Sequence, residues 1–156
     1  MMEIDRFYDY ALWTKILWSV VCGIVIGLER HLHRKPLDLR LSVLICLGTM
    51  TFIHLGVTVQ PPSQDMTRVL GQVVTGVGFL GAGAIITRQG LVMGLTSAAV
   101  VWVLAAVGAA IGFGYYEMGI SISIVVVLVL MVVQWFEDWT ERLVQPKNEP
   151  SEKYKR

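Results

Sequence analysis

Charge is what this sequence has least of. Asp, Glu, Lys and Arg make up 16% of its 156 residues, where a soluble domain carries about 25%. Too few polar side chains remain to coat a surface facing water. Cysteine is scarce as well, with two residues. Cys22 and Cys46 both fall in apolar stretches, with no C-x-x-C or His/Cys spacing. A disulfide framework and a zinc site are therefore not signalled, and both cysteines read as small packing residues. Basic residues are not interleaved with aromatics and the net charge is only +1, so nucleic acid is not an expected partner. Ser42, Ser97, Ser121 and Ser123 have no histidine placed near them. Without a paired nucleophile and base, no enzyme is expected. No acidic cluster within a span marks a Mg²⁺ path, and His31 and His33 lack further ligands at a recognisable spacing, so no metal or cofactor is expected.

What the chain has instead is apolar length. Its hydrophobic fraction is 54% and its mean hydropathy +0.61. The charges cluster between long apolar runs, the pattern of a polytopic membrane protein. Five spans are predicted, at residues 12–28, 39–59, 67–87, 94–113 and 118–136. The second is closed by Pro61-Pro62, which cannot continue a helix. The run 120–133 is rich in β-branched residues, but an unpaired strand in lipid would leave its backbone groups unsatisfied, so a helix is expected. The fold class is thus an all-α transmembrane bundle, residues 1–145, with a short polar tail at 146–156. The N-terminal MMEIDRFYDY lacks the basic region and cleavage site of a signal peptide, so the first span should be retained.

Charge also predicts direction. With five spans and the N-terminus outside, ten basic residues fall on the inner side and three, Arg6, Lys15 and Arg68, on the outer, as the positive-inside rule requires. Removing the third span would carry the basic tail outside. Lys15 lies one turn inside the first span, where it is expected to snorkel to the interface.

The stretch TGVGFLGAG, residues 75–83, holds four glycines in nine positions. It matches G-x-G-x-x-G formally, but a dinucleotide fingerprint also needs a preceding strand and an acid about 20 residues on. Val100 to Val103 stand there instead. The alternative is a helix smoothed for close packing. On a helical projection Arg68, Gln72, Gly76, Phe79 and Gly83 share one face, with Gly71, Gly78 and Gly81 broadly opposite. Both sides are smooth, and a place between two neighbouring helices is expected. The first span carries Gly23 and Gly27 and the fourth Gly108 and Gly112, the small residues that let helices approach in lipid. A broken helix lining a cavity is the other reading of so dense a run.

The polar candidates are few. Glu29 closes the first span and Arg40 opens the second. They are expected to pair across the loop, either to fix the hairpin or as part of a binding or gating site. Arg68 and Gln72 begin the third span and are expected to be buried, with Asp65, Glu117 or Asp9 as the arginine's partner. His54, inside the second span, is expected to hydrogen-bond a neighbouring helix.

Taken together, GLER at 27–30, LDLR at 37–40, LICLGTM at 44–50, the block TRVLGQVVTGVGFLGAGAII at 67–86 and GLTSAAVVWVLAAVGAAIGFG at 94–114 resemble the MgtC/SapB family of bacterial inner-membrane proteins. The resemblance runs from about residue 20 to 115. It implies about five spans with the N-terminus outside, and a role in adaptation to low magnesium or in survival inside macrophages. One member is described as acting on the proton-translocating ATP synthase. By motif match the family's recurrent polar positions fall on Glu29, Arg30, Arg40, Arg68 and Gln72. The chain departs from the pattern at Asp38, where a glycine is usual, and in having only a short segment after the last span where many members carry a soluble ACT-like module. The expected function is non-enzymatic regulation of another membrane complex, with the lipid bilayer and either further copies or another integral membrane protein as partners. The alternative is a small oligomeric transporter or channel subunit.

Overall fold

A computed structural model describes residues 10–33, 35, 37–59, 66–88 and 91–144. The element order is α1 (Tyr10–Leu32), α2 (Leu39–Val59), α3 (Met66–Gly83), β1 (Ile86–Arg88), β2 (Leu91–Met93), α4 (Leu95–Gly112) and α5 (Tyr116–Val144). The expected all-α bundle is present. The N-terminal segment and the tail lie outside the described residues.

Helix α4 is the centre of the bundle. It is apolar all round, as a helix surrounded by others must be, and Leu104, Val107 and Ile111 are fully buried. α2 packs along it, contributing Cys46, Met50 and Ile53 to the same core, and α1 packs along α2 through Cys22 and Ile26. Glycines make both contacts close. A Cβ added at Gly23 would lie 2.8 Å from Val43 Cα, and one at Gly27 would lie 2.8 Å from Ser42 Cβ. Across the other face of α2, a Cβ at Gly108 would run into the Cys46 carbonyl oxygen, and one at Gly112 would come 2.7 Å from Ile53 Cβ. With no hydrophobic drive between helices in lipid, this van der Waals contact is what holds them.

The outside of the bundle is apolar. Along α5, Val125, Leu128, Val129 and Val132 are all more than half exposed. In water such a surface would aggregate; against acyl chains it is at home. Four described helices, α1, α2, α4 and the Tyr116–Thr140 part of α5, are long and apolar enough to cross a membrane.

The third span needs correction. It was expected over 67–87, but α3 ends at Gly83, and at 18 residues its apolar character is diluted by glycines, Arg68 and Gln72. Residues 86–88 instead pair antiparallel with 91–93, Ile86 opposite Met93. The β-branched Ile85-Ile86-Thr87 favour extended backbone, and the left-handed Gly94 after the second strand ends the extended segment. Gly94, at φ +90°, caps α4, and a Cβ there would strike the Ala84 carbonyl oxygen. Only glycine fits. The cap has no side-chain hydrogen bond.

Candidate functional site

Polar groups gather at the two ends of the bundle. At the end carrying the α1–α2 connection, Glu29 and Arg30 sit in the last turns of α1 and are 5% and 2% exposed. Arg30 Nη1 lies 3.6 Å from Glu29 Oε2, and His33 Nδ1 lies 3.2 Å from Glu29 Oε1. Neither carboxylate oxygen of Glu29, nor Arg30 Nε, has a hydrogen-bond partner among the described residues. His33 Nδ1 is 2.8 Å from the Glu29 backbone carbonyl. Arg40 is exposed. The expected Glu29–Arg40 pair across the loop is therefore replaced by contacts within α1, because α2 turns Ser42 rather than Arg40 towards Gly27. Buried charges this sparsely bonded are costly.

At the opposite end, Lys15 does not snorkel. It is 9% exposed, its Nζ donates to the Gly112 carbonyl at 2.8 Å, and it lies 3.1 Å from His54 Nδ1. The expected link between His54 and a neighbouring helix is present. The signal for this cluster was in the numbering: Lys15 and His54 each stand about 20 residues from Lys35, so an antiparallel hairpin brings them to one depth.

The third helix departs furthest from expectation. Arg68 and Gln72 are exposed, as is Glu117; the expected burial is corrected. Asp65 and Asp9 lie outside the described residues. Gly81 alone of the α3 glycines is buried, its Cβ position 3.5 Å from the Ala98 carbonyl. At Gly71, Gly76, Gly78 and Gly83 an added Cβ would meet no atom of the other described residues within 4 Å beyond the local helix backbone. α3 is not sandwiched by its siblings: it leans on α4 and touches α2 where Val69 meets Gly56. Between α2 and α3 lies a groove of about 610 Å³, floored by Ile45 and Val77 with Gly48, Gly76, Thr49 and Gln72 on its walls. Gly48 is as bare as Gly76. Among the described residues no cluster of three metal-ligating side chains occurs.

Comparison with known proteins follows the same lines. The MgtC family matches residues 16–139. YhiD of Escherichia coli strain K12, named as a candidate magnesium transporter, is 42% identical over 136 residues, which is 83% of this chain and 61% of that protein. MgtC of Salmonella typhimurium strain 14028s is 34% identical over 123 residues, 78% of this chain and 52% of its own. SapB of Bacillus subtilis strain 168 is 30% identical over 153 residues, 93% and 64% respectively. The chain thus spans less than two thirds of the length of each of these relatives. No solved structure matches it. The shared region takes in α1 from residue 16 onward and runs through α4 to the membrane-spanning part of α5, including the glycine-rich helix, and so the chain belongs to the MgtC family of membrane proteins.

Proposed function

We propose that this protein is a non-enzymatic, multi-pass component of the bacterial inner membrane that acts by helix contact on another membrane complex, in adaptation to low magnesium or intracellular survival. The proton-translocating ATP synthase is the complex the family resemblance brings forward. The observation that carries this reading is the bare glycines of α3. Gly71 and Gly78 on one side and Gly76 and Gly83 on the other have no neighbour among the described residues at their Cβ positions, and Gly76 lines a groove of about 610 Å³. Glycine weakens a helix by about 1 kcal/mol per residue relative to alanine, so a run of bare glycines without a neighbour is a cost with no return inside this chain. A helix from outside, of another protein or of a second copy, supplies the return through close backbone contact.

Crosslinking in native membranes tests it. The chain should capture a specific membrane partner, and Gly76→Leu or Gly83→Leu should abolish capture. Neither substitution meets an atom of the chain at Cβ, so both proteins should remain folded. Folded variants that still capture the partner refute the reading. A transport subunit is the second reading, favoured by Gln72 and Thr49 on the groove walls and by the name carried by YhiD. Reconstituted protein that moves no ion or small solute under any gradient refutes that one.

A further inference from the structure

A second cavity, of about 420 Å³, opens at the end of the bundle where α1 finishes and α4 begins. Its polar wall is formed by Arg30, Lys35, Thr96 and Ser97, and its far side by α5, with Val129, Val133 and Glu137. From this geometry we infer that the cavity between α1, α4 and α5 binds a phosphate group, with Arg30, Lys35 and the first turn of α4 as its ligands.

Three independent features converge there. The first is the N-terminus of an 18-residue helix whose cap, Gly94, offers no side-chain acceptor. The first N–H groups of such a helix have no intrahelical partner and favour an anion. The second is Arg30. Its guanidinium is 2% exposed, and among the described residues its Nε has no hydrogen-bond partner and its ionic contact, to Glu29, is a long 3.6 Å. A buried guanidinium whose Nε–H finds no partner among the described residues is the reverse of what a settled structural arginine shows. Glu29 does not line the cavity and is contacted by His33 as well, which leaves the cavity side of the guanidinium for a ligand. The third is Lys35, exposed at the rim, with its backbone N–H held by the Arg30 carbonyl at 3.0 Å. That bond keeps the lysine beside the arginine. A planar fork, a mobile ammonium and a helix N-terminus together are a phosphate-binding set.

Charge and shape narrow the ligand further. Lining side chains supply two positive charges and one negative, Glu137, with the helix end adding to the positive side. One phosphate fits that balance, and Glu137 with Gln134 is placed to accept from hydroxyl or amine groups carried beside it. The α5 wall is apolar and half exposed at Val129 and Val133, so the cavity opens sideways towards acyl chains. A phospholipid headgroup and a free phosphate or soluble phosphoester both present this chemistry.

The test has two arms on the intact chain. In the first, the protein is assembled in nanodiscs of phosphatidylcholine with phosphatidylglycerol and released for native mass spectrometry. In the second, it is heated in detergent with inorganic phosphate or with chloride at equal ionic strength. Retention of one phosphatidylglycerol identifies a lipid headgroup, and a phosphate-specific rise in melting temperature identifies the free ion; either result supports the site. Arg30→Gln and Lys35→Glu should each weaken the positive arm at least tenfold, while Arg68→Gln at the other end leaves it unchanged. Because Lys35 is exposed, its variant should fold even where the buried Arg30 variant does not. The proposal is overturned when neither arm responds in the wild type, or when folded Lys35→Glu binds as the wild type does.

Discussion

The same substitution, glycine to alanine, should have opposite signs on two helices of this protein. At Gly108 the new methyl runs into the Cys46 carbonyl oxygen and lies 3.0 Å from Thr49 Cβ. The obstacle is backbone, not the far end of a side chain, so α2 must back away from α4. A retreat of up to about 1 Å forfeits up to half of each dispersion contact it opens, and the contacts opened include those of Met50, Leu104 and Ile111, all fully buried. Overpacking of this kind costs roughly 1–3 kcal/mol, and the rigid obstacle places it in the upper part of that range. Alanine's better helix propensity returns about 1 kcal/mol, leaving a net loss on the order of 2 kcal/mol. At Gly76 nothing lies within 4 Å. Only the propensity and unfolded-chain effects operate there, and Gly76→Ala should stabilise the isolated protein by about 0.5–1 kcal/mol. Unfolding in mixed micelles of rising SDS fraction, followed by tryptophan fluorescence, measures both. A neutral Gly108→Ala removes the account of α2–α4 packing. A destabilising Gly76→Ala means that the outer face of α3 is already covered by its own chain, and the proposed contact surface goes with it.

Lys15→Met should lower stability by about 1–3 kcal/mol, since it leaves the Gly112 carbonyl without its donor while keeping the aliphatic stem; equal stability in the same micelle titration refutes the bond. Reporter fusions at the two chain ends should report opposite sides of the membrane, because α3 is taken as a short fifth span. Both ends on one side would show that α3 does not cross.

The helices that sequence placed best are those bounded by hard chemical signals. Residues 39–59 were predicted and Leu39–Val59 is found, because Pro61-Pro62 permits no continuation. α1 and α5 run past their predicted ends, to Leu32 and Val144. Apolar length marks where a chain leaves hydrocarbon, whereas helix formation continues through Glu29 to His31 and Glu137 to Glu141, whose side chains tolerate both helix and headgroups. The glycine contacts were legible where two small-residue faces meet, at Gly23 and Gly27 on α1 and at Gly108 and Gly112 on α4. For α3 the pattern gave smoothness but not the identity of the neighbour, since a bare face reads alike whether its partner is intramolecular or not. The polar partners were least legible. Helical register brings Glu29 and Arg40 to one depth, but which way each side chain turns depends on how α2 rolls against α1. Ser42 and Gly27 decide that by their close contact.

The bond from Lys15 to Gly112 spans 97 residues, and that separation bears on how the protein is made. The lysine leaves the ribosome with the first helix, long before its acceptor has been synthesised. The second helix brings His54 to the ammonium first, but the Gly112 carbonyl arrives only with the fourth, and lysine in hydrocarbon without its full set of partners is expensive. The first helix should therefore settle at its final depth in two stages, and a chain stalled before residue 112 should lack the bond that completes the second.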